Sequence, residues 1–317
     1  MKILQALQKK QTETSTAGRP ADSLAHSGTA MRRADNIPPS IFANPDLKIG
    51  APSPVTGNNP NSHFTEPVPN TVTLTEMEGL RHPEFASFEI NPESVNPRLV
   101  AITQPNSAYC EEYRSLRTHI LHKSQKQKLQ SIVVASAGPS EGKSVTALNL
   151  AWLLAQTDGI KALIIDSDLR LPSLTEYLGI EAGVGLSHVL EGQTSLQDAI
   201  IRLDPGGLHL LPGGSTRSNV AEMLSGPKFK AILRDAREMF DYVIIDAPPL
   251  GIFTDAAVLI NHADGALLVV RANQTRYKEI DRILENLPRE RMLGAVLNQS
   301  EDVMNESYYN HIYYANA

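Results

Sequence analysis

The sequence predicts an α/β fold: a doubly wound, mostly parallel sheet with helices on both faces. From residue 131 onward, short apolar runs alternate with helical patterns. The runs are apolar almost throughout rather than at alternate positions, which is typical of parallel strands buried on both faces. A glycine-containing loop, residues 135–145, separates the first run from the first helix. Together these observations indicate one sheet with its loops gathered at one edge.

Each element rests on its own pattern of apolar residues. Strands are predicted over residues 131–136, 161–166, 207–212, 242–246, 265–271 and 292–297. Helices are predicted after Ser144 and through 220–238 and 276–287, and residues 185–190 predict a short helix at best. Upstream, Tyr113, Leu116 and Ile120 recur at helical spacing, which predicts an amphipathic helix over 107–121.

The first third of the 317-residue chain has a different composition. Thirteen of the 21 prolines precede Asn106, in a segment rich in Asn, Ser and Thr without a sustained period. We expect residues 1–75 to be disordered, because they contain too few apolar groups to offset the entropy of ordering. Within them, residues 1–10 predict coil or a short amphipathic helix. An extended linker is expected over 76–105, a folded domain over 106–300 and a tail over 301–317.

Composition excludes several classes of protein. No run of about 18 apolar residues occurs, and no secretory signal is evident, so we expect a cytoplasmic protein. The one cysteine, Cys110, excludes an internal disulfide and a cysteine-based zinc or iron–sulfur site. A formal net charge of −6 provides no general basic field, so a nucleic acid partner is not expected.

The loop Ser136-Ala-Gly-Pro-Ser-Glu-Gly-Lys-Ser144 has the context of a phosphate-binding loop, between a strand and a helix. Backbone N–H groups can surround phosphates there, Lys143 can reach them, and the Ser144 hydroxyl can ligate Mg²⁺. Ala137 stands where the usual pattern has its first glycine, so the motif is a variant. The residues expected to bind the nucleotide are Gly138, Pro139, Ser140, Glu141, Gly142, Lys143, Ser144 and Val145.

Carboxylates follow two of the predicted strands. Asp166 and Asp168 end the run that starts at Lys161, and Asp246 ends the run that starts at Phe240. Ligands of open α/β sheets lie outside the carboxyl ends of the strands, where these side chains and the phosphate loop would converge. Because Mg²⁺ prefers carboxylate and phosphate oxygens, the sequence predicts binding of ATP and Mg²⁺.

Two further segments each allow two interpretations. Glu111, Arg114 and Arg117 form a stripe along the predicted helix, either an ordinary solvated face or a self-association surface. Four of the nine tyrosines lie in the cluster Tyr308, Tyr309, Tyr313 and Tyr314. These tyrosines either pack on the folded domain or undergo phosphorylation, which would add about −1.5 to −2 charges each.

The combination of these motifs resembles the bacterial tyrosine kinases of exopolysaccharide and capsule assembly. The resemblance covers about residues 100–317: the phosphate loop, Ile165-Asp-Ser-Asp-Leu-Arg-Leu-Pro172, Ile244-Ile-Asp-Ala-Pro-Pro249, the Glu111/Arg114/Arg117 helix and the tyrosine cluster. It implies a P-loop NTPase fold of the MinD/ParA-like type. The tail lacks the glycines found in many family members, and the proline-rich segment is outside the common core.

The resemblance also implies roles for individual residues. Lys143, Asp166, Asp168 and Asp246 would be catalytic, with Ser144, Asp166 and Asp246 holding Mg²⁺. Either Asp166 or Asp168 would accept the tyrosine proton. Asn298 resembles a position that contacts adenine in related proteins.

The family resemblance implies partners as well. The kinase would pair with a membrane chain-length-determinant protein (a polysaccharide co-polymerase) that activates it and recruits it to the inner face of the plasma membrane. Copies would form a ring through Glu111, Arg114 and Arg117, and each would phosphorylate the tyrosine cluster of its neighbour.

Two other functions are compatible with the same fold. One is an ATPase switch of the MinD/ParA type, although such proteins usually have a lysine where this chain has Gly138 and have no need of paired tyrosines. The other is a nucleotide-gated scaffold for polysaccharide assembly, which would tolerate phenylalanine at every tail tyrosine. Phosphorylation of the tyrosine cluster would distinguish the kinase from both.

Overall fold

The computed structural model describes residues 2–4 and 85–300 of the chain. Within these residues the strands form one nine-stranded sheet. The strands are β1 (Lys2–Leu4), β2 (Ala86–Glu89), β3 (Ser131–Ser136), β4 (Ala162–Asp166), β5 (Ile201–Asp204), β6 (Leu208–Leu211), β7 (Tyr242–Asp246), β8 (Gly265–Arg271) and β9 (Met292–Asn298). All six predicted strands are confirmed, with their ends shifted by one residue at most.

The order of the strands is β1-β9-β8-β3-β7-β4-β6-β5-β2. The six central strands, from β9 to β6 in this order, are all parallel to one another. Antiparallel pairs occur only toward the two edges of this described sheet, between β1 and β9 and between β5 and β6. The predicted doubly wound, mostly parallel sheet is therefore confirmed.

Helices cover both faces of the sheet. They are α1 (Val100–Thr103), α2 (Ala108–Ser124), α3 (Lys143–Ala155), α4 (Leu174–Leu178), α5 (Leu186–Glu191), α6 (Leu196–Ala199), α7 (Val220–Ser225), α8 (Pro227–Met239), α9 (Asp255–His262) and α10 (Tyr277–Glu285). A 3₁₀ turn spans Arg289–Arg291. None of the helices in the described ranges is long and apolar enough to cross a membrane.

Alternate residues of the central strands contribute to two separate cores. In β3, Ile132 and Val134 pack on the face covered by α2 and α3. Val133 and Ala135 pack on the opposite face, covered by α7, α8 and α9. Both sets are almost fully buried. This two-sided burial is the reason that the strands read as continuous apolar runs.

The prediction of an extended linker over 76–105 is wrong for the part that the structure describes, residues 85–105. β2 pairs in parallel with β5, and α1 follows it. Ile90, Val95 and Leu99 are buried in the core beneath α2. These buried apolar residues are widely spaced in a polar, proline-rich segment and have neither helical nor strand periodicity, so the sequence pattern did not indicate them.

Lys2–Leu4 also differs from the coil or short helix predicted for residues 1–10. These residues form the strand β1, which pairs antiparallel with β9, with Ile3 opposite Val296. Three residues carry too little pattern to predict a strand, so the partner strand decides the conformation. The rest of the segment predicted to be disordered, and the tail over 301–317, lie outside the described residues.

The helix predicted over 220–238 is two helices. Gly226 is extended and Pro227 opens α8, so the helical hydrogen bonds are interrupted between them. The predicted helices over 107–121, after Ser144, over 185–190 and over 276–287 correspond to α2, α3, α5 and α10. Strands β2 and β5 and helices α1, α4, α6 and α9 are not in the prediction.

Asn149 is a buried polar residue that joins α3 to the segment preceding α2. Its Oδ1 accepts the Ala101 N–H at 2.9 Å, and its Nδ2 donates to the carbonyls of Arg98 at 3.1 Å and Val145 at 2.9 Å. Only 1% of Asn149 is exposed. The amide therefore satisfies backbone groups that would otherwise be buried without partners.

Replacement of Asn149 by Ala should lower the free energy of unfolding by about 1–3 kcal/mol, because it leaves buried backbone groups of the α1 segment unpaired. Urea denaturation measures the change. Asn286→Ala is the matched control, since Asn286 is exposed and its side-chain amide donates to the Arg282 carbonyl of the preceding helix, α10. An equal loss in both variants would show that the buried network has no special contribution.

Candidate functional site

Three neighbouring strands deliver the predicted site residues to one edge of the sheet. β3 leads into the phosphate loop, β7 ends at Asp246 and β4 ends at Asp166. β7 lies between the other two strands, and Asp166 and Asp246 are directly opposite each other in the β4–β7 register. The predicted convergence of the loop and the carboxylates is therefore observed.

The phosphate loop turns into α3 through residues with unusual backbone angles. Gly142 has φ +94° and caps the helix, and Ser140 has φ +60°. Ala137 has an ordinary negative φ, so the position does not need the glycine of the usual motif. The Ala137 carbonyl accepts the Gly251 N–H at 2.9 Å, which holds the start of the loop against the segment after β7.

A second group of contacts braces the loop from the side of β8 and β9. The buried Glu141 carboxylate accepts the Gly138 N–H at 2.9 Å and the Thr275 hydroxyl. Asn298, the last residue of β9, donates from Nδ2 to the Glu141 carbonyl at 2.9 Å. Asn298 thus contacts the loop backbone, next to Gly142, as well as lining the cavity described below.

Lys143 lies between the carboxylates at the sheet edge. Its Nζ is 3.2 Å from Asp168 Oδ2 and 3.7 Å from Asp246 Oδ2, and it donates to Ser144 Oγ at 3.0 Å. Burial alone would lower the pKa of Lys143, but the charges of Asp246, Asp168 and Asp166 outweigh it and raise the pKa. The side chain is therefore a permanent cation at the mouth of the loop.

Asp166 is held mainly by backbone groups. Its Oδ1 accepts the Asp168 N–H at 3.2 Å, and its Oδ2 accepts those of Ser173 at 2.9 Å and Leu174 at 3.1 Å. Burial, followed by the charge of Asp246, raises the pKa of Asp166 from 3.8 to about 7. Asp166 therefore shapes the loop after β4, and its oxygens are already engaged by protein donors.

Asp246 has the opposite character. It is fully buried, and neither carboxylate oxygen has a hydrogen-bond partner among residues 2–4 and 85–300. Burial raises its pKa, against the opposing influence of Lys143 and the Ser144 hydroxyl. A buried carboxylate whose nearest ammonium, that of Lys143, is 3.7 Å away is costly, which indicates a site that a further cation completes.

These residues fit Mg²⁺ accompanied by phosphates. Over residues 85–300 no group of three or more His, Cys, Asp or Glu residues forms a metal site by itself. Mg²⁺ is usually held by one or two carboxylates together with phosphates and water, so Asp246 and the Ser144 hydroxyl suffice. One ammonium faces three carboxylates here, and a divalent cation would balance the excess negative charge.

A cavity of about 660 Å³ adjoins the loop, within the range typical of ligand sites. Its walls include Ser140, Gly142, Val145, Tyr109, Glu111 and Asn298. The cavity therefore opens beside the phosphate-binding backbone and extends to α2. Pro139 lies in the loop between Gly138 and Ser140.

The three charged residues predicted to form an oligomerisation stripe have different surroundings. Arg114 Nη1 donates to Glu111 Oε2 at 2.7 Å, and Arg114 Nη2 to the Pro105 carbonyl at 2.8 Å. Arg117 turns to α3, where its Nη1 donates to the Leu153 carbonyl at 3.3 Å. Within residues 85–300, Glu111 and Arg114 form a surface ion pair, whereas Arg117 packs against α3.

Sequence reasoning missed the supporting contacts of the site. Thr275 holds Glu141, and Arg170 pairs with the buried Asp255. Arg170 lies inside the Asp-Ser-Asp-Leu-Arg motif, but Thr275 and Asp255 follow strands without any motif of their own. The predicted phosphorylation sites Tyr308, Tyr309, Tyr313 and Tyr314 lie outside the described residues.

The fold and the site define a nucleotide-binding protein of the P-loop class. A family profile described as "AAA domain" matches residues 129–292. "Tyrosine-protein kinase YwqD" of Bacillus subtilis (strain 168) is 37% identical over 202 residues, which cover 63% of this chain and 85% of that protein.

Two further similarities concern a longer protein and a solved structure. "Succinoglycan biosynthesis transport protein ExoP" of Rhizobium meliloti (strain 1021) is 31% identical over 72% of this chain and 30% of its own length. The kinase domain of the Escherichia coli tyrosine kinase ETK is 29% identical with a TM-score of 0.60, covering 63% of this chain and 79% of that one. The chain belongs to the bacterial tyrosine kinase family.

Gly142→Ala should weaken ATP binding about tenfold or more, because the new Cβ would overlap the Asn298 side chain that braces the loop. Gly159→Ala is a matched control: Gly159 also has a positive φ, +75°, but its Cβ would meet nothing within 4 Å. Both variants should lose about 1–2 kcal/mol of stability from the backbone angle. Fluorescent ATP titration with Mg²⁺ measures the affinity. Equal affinities of the two variants would contradict the role of the brace.

The raised pKa of Asp166 predicts a pH dependence of stability without nucleotide. Below its ordinary pKa of 3.8 the carboxyl is neutral in both the folded and unfolded states. Between pH 4 and about 7 the unfolded chain loses this proton while the folded protein retains it, so stability falls as the pH rises.

The free energy of unfolding of the wild-type protein should therefore fall more steeply between pH 4 and 7 than that of Asp166→Asn. Urea denaturation across this range measures both slopes. Parallel curves would show that Asp166 ionises normally in the folded protein.

Proposed function

We propose that the protein is a tyrosine kinase that uses ATP and Mg²⁺ to phosphorylate Tyr308, Tyr309, Tyr313 and Tyr314 on a second copy of itself. The observation that carries the proposal is the placement of Lys143 between Asp168 and Asp246 at the phosphate loop. Membership of the tyrosine kinase family favours this function over an ATPase switch or a scaffold with the same fold.

Each residue of the site has a distinct task in phosphoryl transfer. The backbone at the start of α3 binds phosphate oxygens, and Lys143 neutralises their charge. Mg²⁺, held by Ser144 and Asp246, would neutralise the phosphates and orient them. Such transfer depends mainly on positioning and charge, so a weak base is sufficient for the tyrosine hydroxyl.

Of the two candidates, Asp166 and Asp168, we propose Asp168 as the acceptor of the tyrosine proton. Among the described residues its Oδ2 contacts Lys143, while Asp166 uses both of its oxygens on backbone N–H groups. When Lys143 turns to the phosphates, Asp168 Oδ2 is released at the mouth of the site. Asp166 then serves to fix the loop that carries Asp168.

Transfer between copies is proposed on the basis of α2 and the position of the tyrosine cluster. Glu111 lines the cavity beside the phosphate loop, and Arg114 pairs with it, so an approaching copy at this face would reach the site. Copies joined there would form a ring. Arg117 would support the stripe through its contact with α3.

The chain length also permits transfer within one copy. Ser300 lines the cavity, and the eight residues from there to Tyr308 can span at most about 27 Å. Transfer between copies therefore needs a direct test.

A membrane partner is proposed because of the relation to the polysaccharide transport protein. The matching region makes up 30% of that relative's length, and the rest of that relative lies outside the match. In this proposal a membrane chain-length-determinant protein activates the kinase and recruits it to the inner face of the plasma membrane. The kinase would then regulate the polymerisation and export of an exopolysaccharide.

A mixing experiment tests transfer between copies. The first copy carries Lys143→Met and intact tyrosines, so it can act only as substrate. The second has Phe at all four tyrosines and an intact site, so it can act only as enzyme. With ATP and Mg²⁺, we expect phosphate on the first copy only in the mixture, at a rate that rises with protein concentration, by tyrosine-mapped mass spectrometry.

The control for the first copy is Lys161→Met, which changes an exposed lysine at the opposite end of β4. This variant should phosphorylate itself like the wild-type protein, which shows that loss of a lysine alone does not inactivate the chain. An unmodified mixture, together with wild-type phosphorylation that is independent of dilution, would contradict transfer between copies.

A further inference from the structure

Arg170 connects the two loops that carry the catalytic carboxylates. It lies two residues after Asp168, in the loop that follows β4. Its Nε donates to Asp255 Oδ2 at 2.7 Å and its Nη2 to Asp255 Oδ1 at 3.3 Å. Asp255 is the first residue of α9, beyond the segment that follows Asp246. These two hydrogen bonds therefore link the loop after β4, which carries Asp168, to the segment after β7, which follows Asp246.

The guanidinium is fixed by more than the ion pair. It stacks on the ring of Phe253 with 4.4 Å between the guanidinium carbon and the ring centroid, and Nη1 donates to the Ser218 carbonyl at 3.4 Å. The Asp255 side chain is completely buried, whereas 28% of the Arg170 side chain is exposed. A planar guanidinium that stacks on a ring and donates two hydrogen bonds to one carboxylate has one favourable orientation. The ammonium of a lysine cannot reproduce this geometry.

A tight turn over residues 168–171 couples the position of Asp168 to that of Arg170. The Leu171 N–H donates to the Asp168 carbonyl at 3.0 Å and is 3.3 Å from Asp168 Oδ1. Asp168 Oδ2 in turn contacts Lys143 at 3.2 Å. A continuous series of contacts therefore runs from Asp255 through Arg170 and the turn to Asp168 and Lys143.

We propose that Arg170 is a positioning residue for phosphoryl transfer, which holds Asp168 in register with Lys143 and Asp246 by clamping its loop to Asp255. The inference rests on the proposed function, since it assigns the clamp to that reaction. Arg170 bonds to Asp255 and Ser218 and stacks on Phe253 rather than contacting Lys143 or Asp246, so its effect passes through Asp168. Displacement of a reacting group by about 1 Å is enough to slow a reaction about 100-fold.

Two variants of the full chain test the clamp. Arg170→Lys retains the positive charge beside buried Asp255 but lacks the fork. Arg170→Gln combined with Asp255→Asn removes both charges, so no buried charge is left without a partner. We expect tyrosine phosphorylation at saturating ATP and Mg²⁺ to be about 10- to 100-fold slower in both variants. The KM for ATP should change little, because the phosphate loop and Lys143 are intact.

The matched control is Arg237→Lys. Arg237 pairs with Asp264 at 3.1 Å with similar exposure, 26% of its side chain, but at the opposite end of the sheet, beside the first residue of β3. Arg237→Lys should lower the melting temperature, but it should not slow phosphorylation at temperatures where the protein is folded. Circular dichroism identifies that temperature range for every variant.

ATP hydrolysis is measured in the same samples, to separate the clamp from the proposed function. A wild-type chain that hydrolyses ATP but gains no phosphate on tyrosine would contradict the tyrosine kinase, and slower hydrolysis in both Arg170 variants would still support the clamp. Turnover equal to wild type in Arg170→Lys would overturn the clamp. So would an equal slowing in Arg237→Lys, because the effect would then be general destabilisation.

Discussion

The contact of Lys143 with Asp168 and Asp246 is the constraint on which the rest of the structure depends. Three carboxylates and one ammonium are withdrawn from water at the end of three adjacent strands. Such an arrangement is stable only where backbone donors, counter-charges and a fixed sheet hold each group in place. The order β3-β7-β4 meets this requirement, because it brings the loop, Asp246 and Asp166 to one edge. The cost is concentrated at Asp246, whose oxygens have no hydrogen-bond partner in the part of the chain that the structure describes, so a bound cation would improve the electrostatics of the folded protein.

The surrounding structure holds this cluster from two sides. On one side, Glu141 joins the phosphate loop to Thr275 after β8, and Asn298 at the end of β9 contacts the same loop. On the other, Arg170 joins the loop after β4 to α9. Five of the six central strands, β3, β4, β7, β8 and β9, and the loops that follow them therefore contribute to the site. The chemistry of this site needs accurate placement more than reactive groups. The tyrosine kinase activity proposed here is compatible with a P-loop scaffold for this reason.

The central sheet could be predicted from the sequence because burial on both faces produces continuous apolar runs, as in β3 and β8. The same burial, with glycine and aspartate at strand ends, made the phosphate loop and Asp166, Asp168 and Asp246 recognisable. The linker prediction was wrong over 85–105, where isolated anchors such as Leu99 depend on a core built by later residues. The edge strands β1 and β2, and β5 beside β2, are too short to show a period. The contacts of Thr275 and Asp255 are tertiary. The resemblance assigned both Asp166 and Asp246 to Mg²⁺, and no sequence pattern indicates that backbone N–H groups engage the oxygens of Asp166.

The most direct test of the central claim is tyrosine-mapped mass spectrometry of the full chain after incubation with ATP and Mg²⁺, in the presence of the membrane activator domain. The account predicts phosphate on one or more of Tyr308, Tyr309, Tyr313 and Tyr314 in the wild-type protein and none in Lys143→Met. Hydrolysis of ATP with all four tyrosines unmodified, activator present, would contradict the account. The charged cluster at Lys143 would then serve an ATPase rather than a kinase.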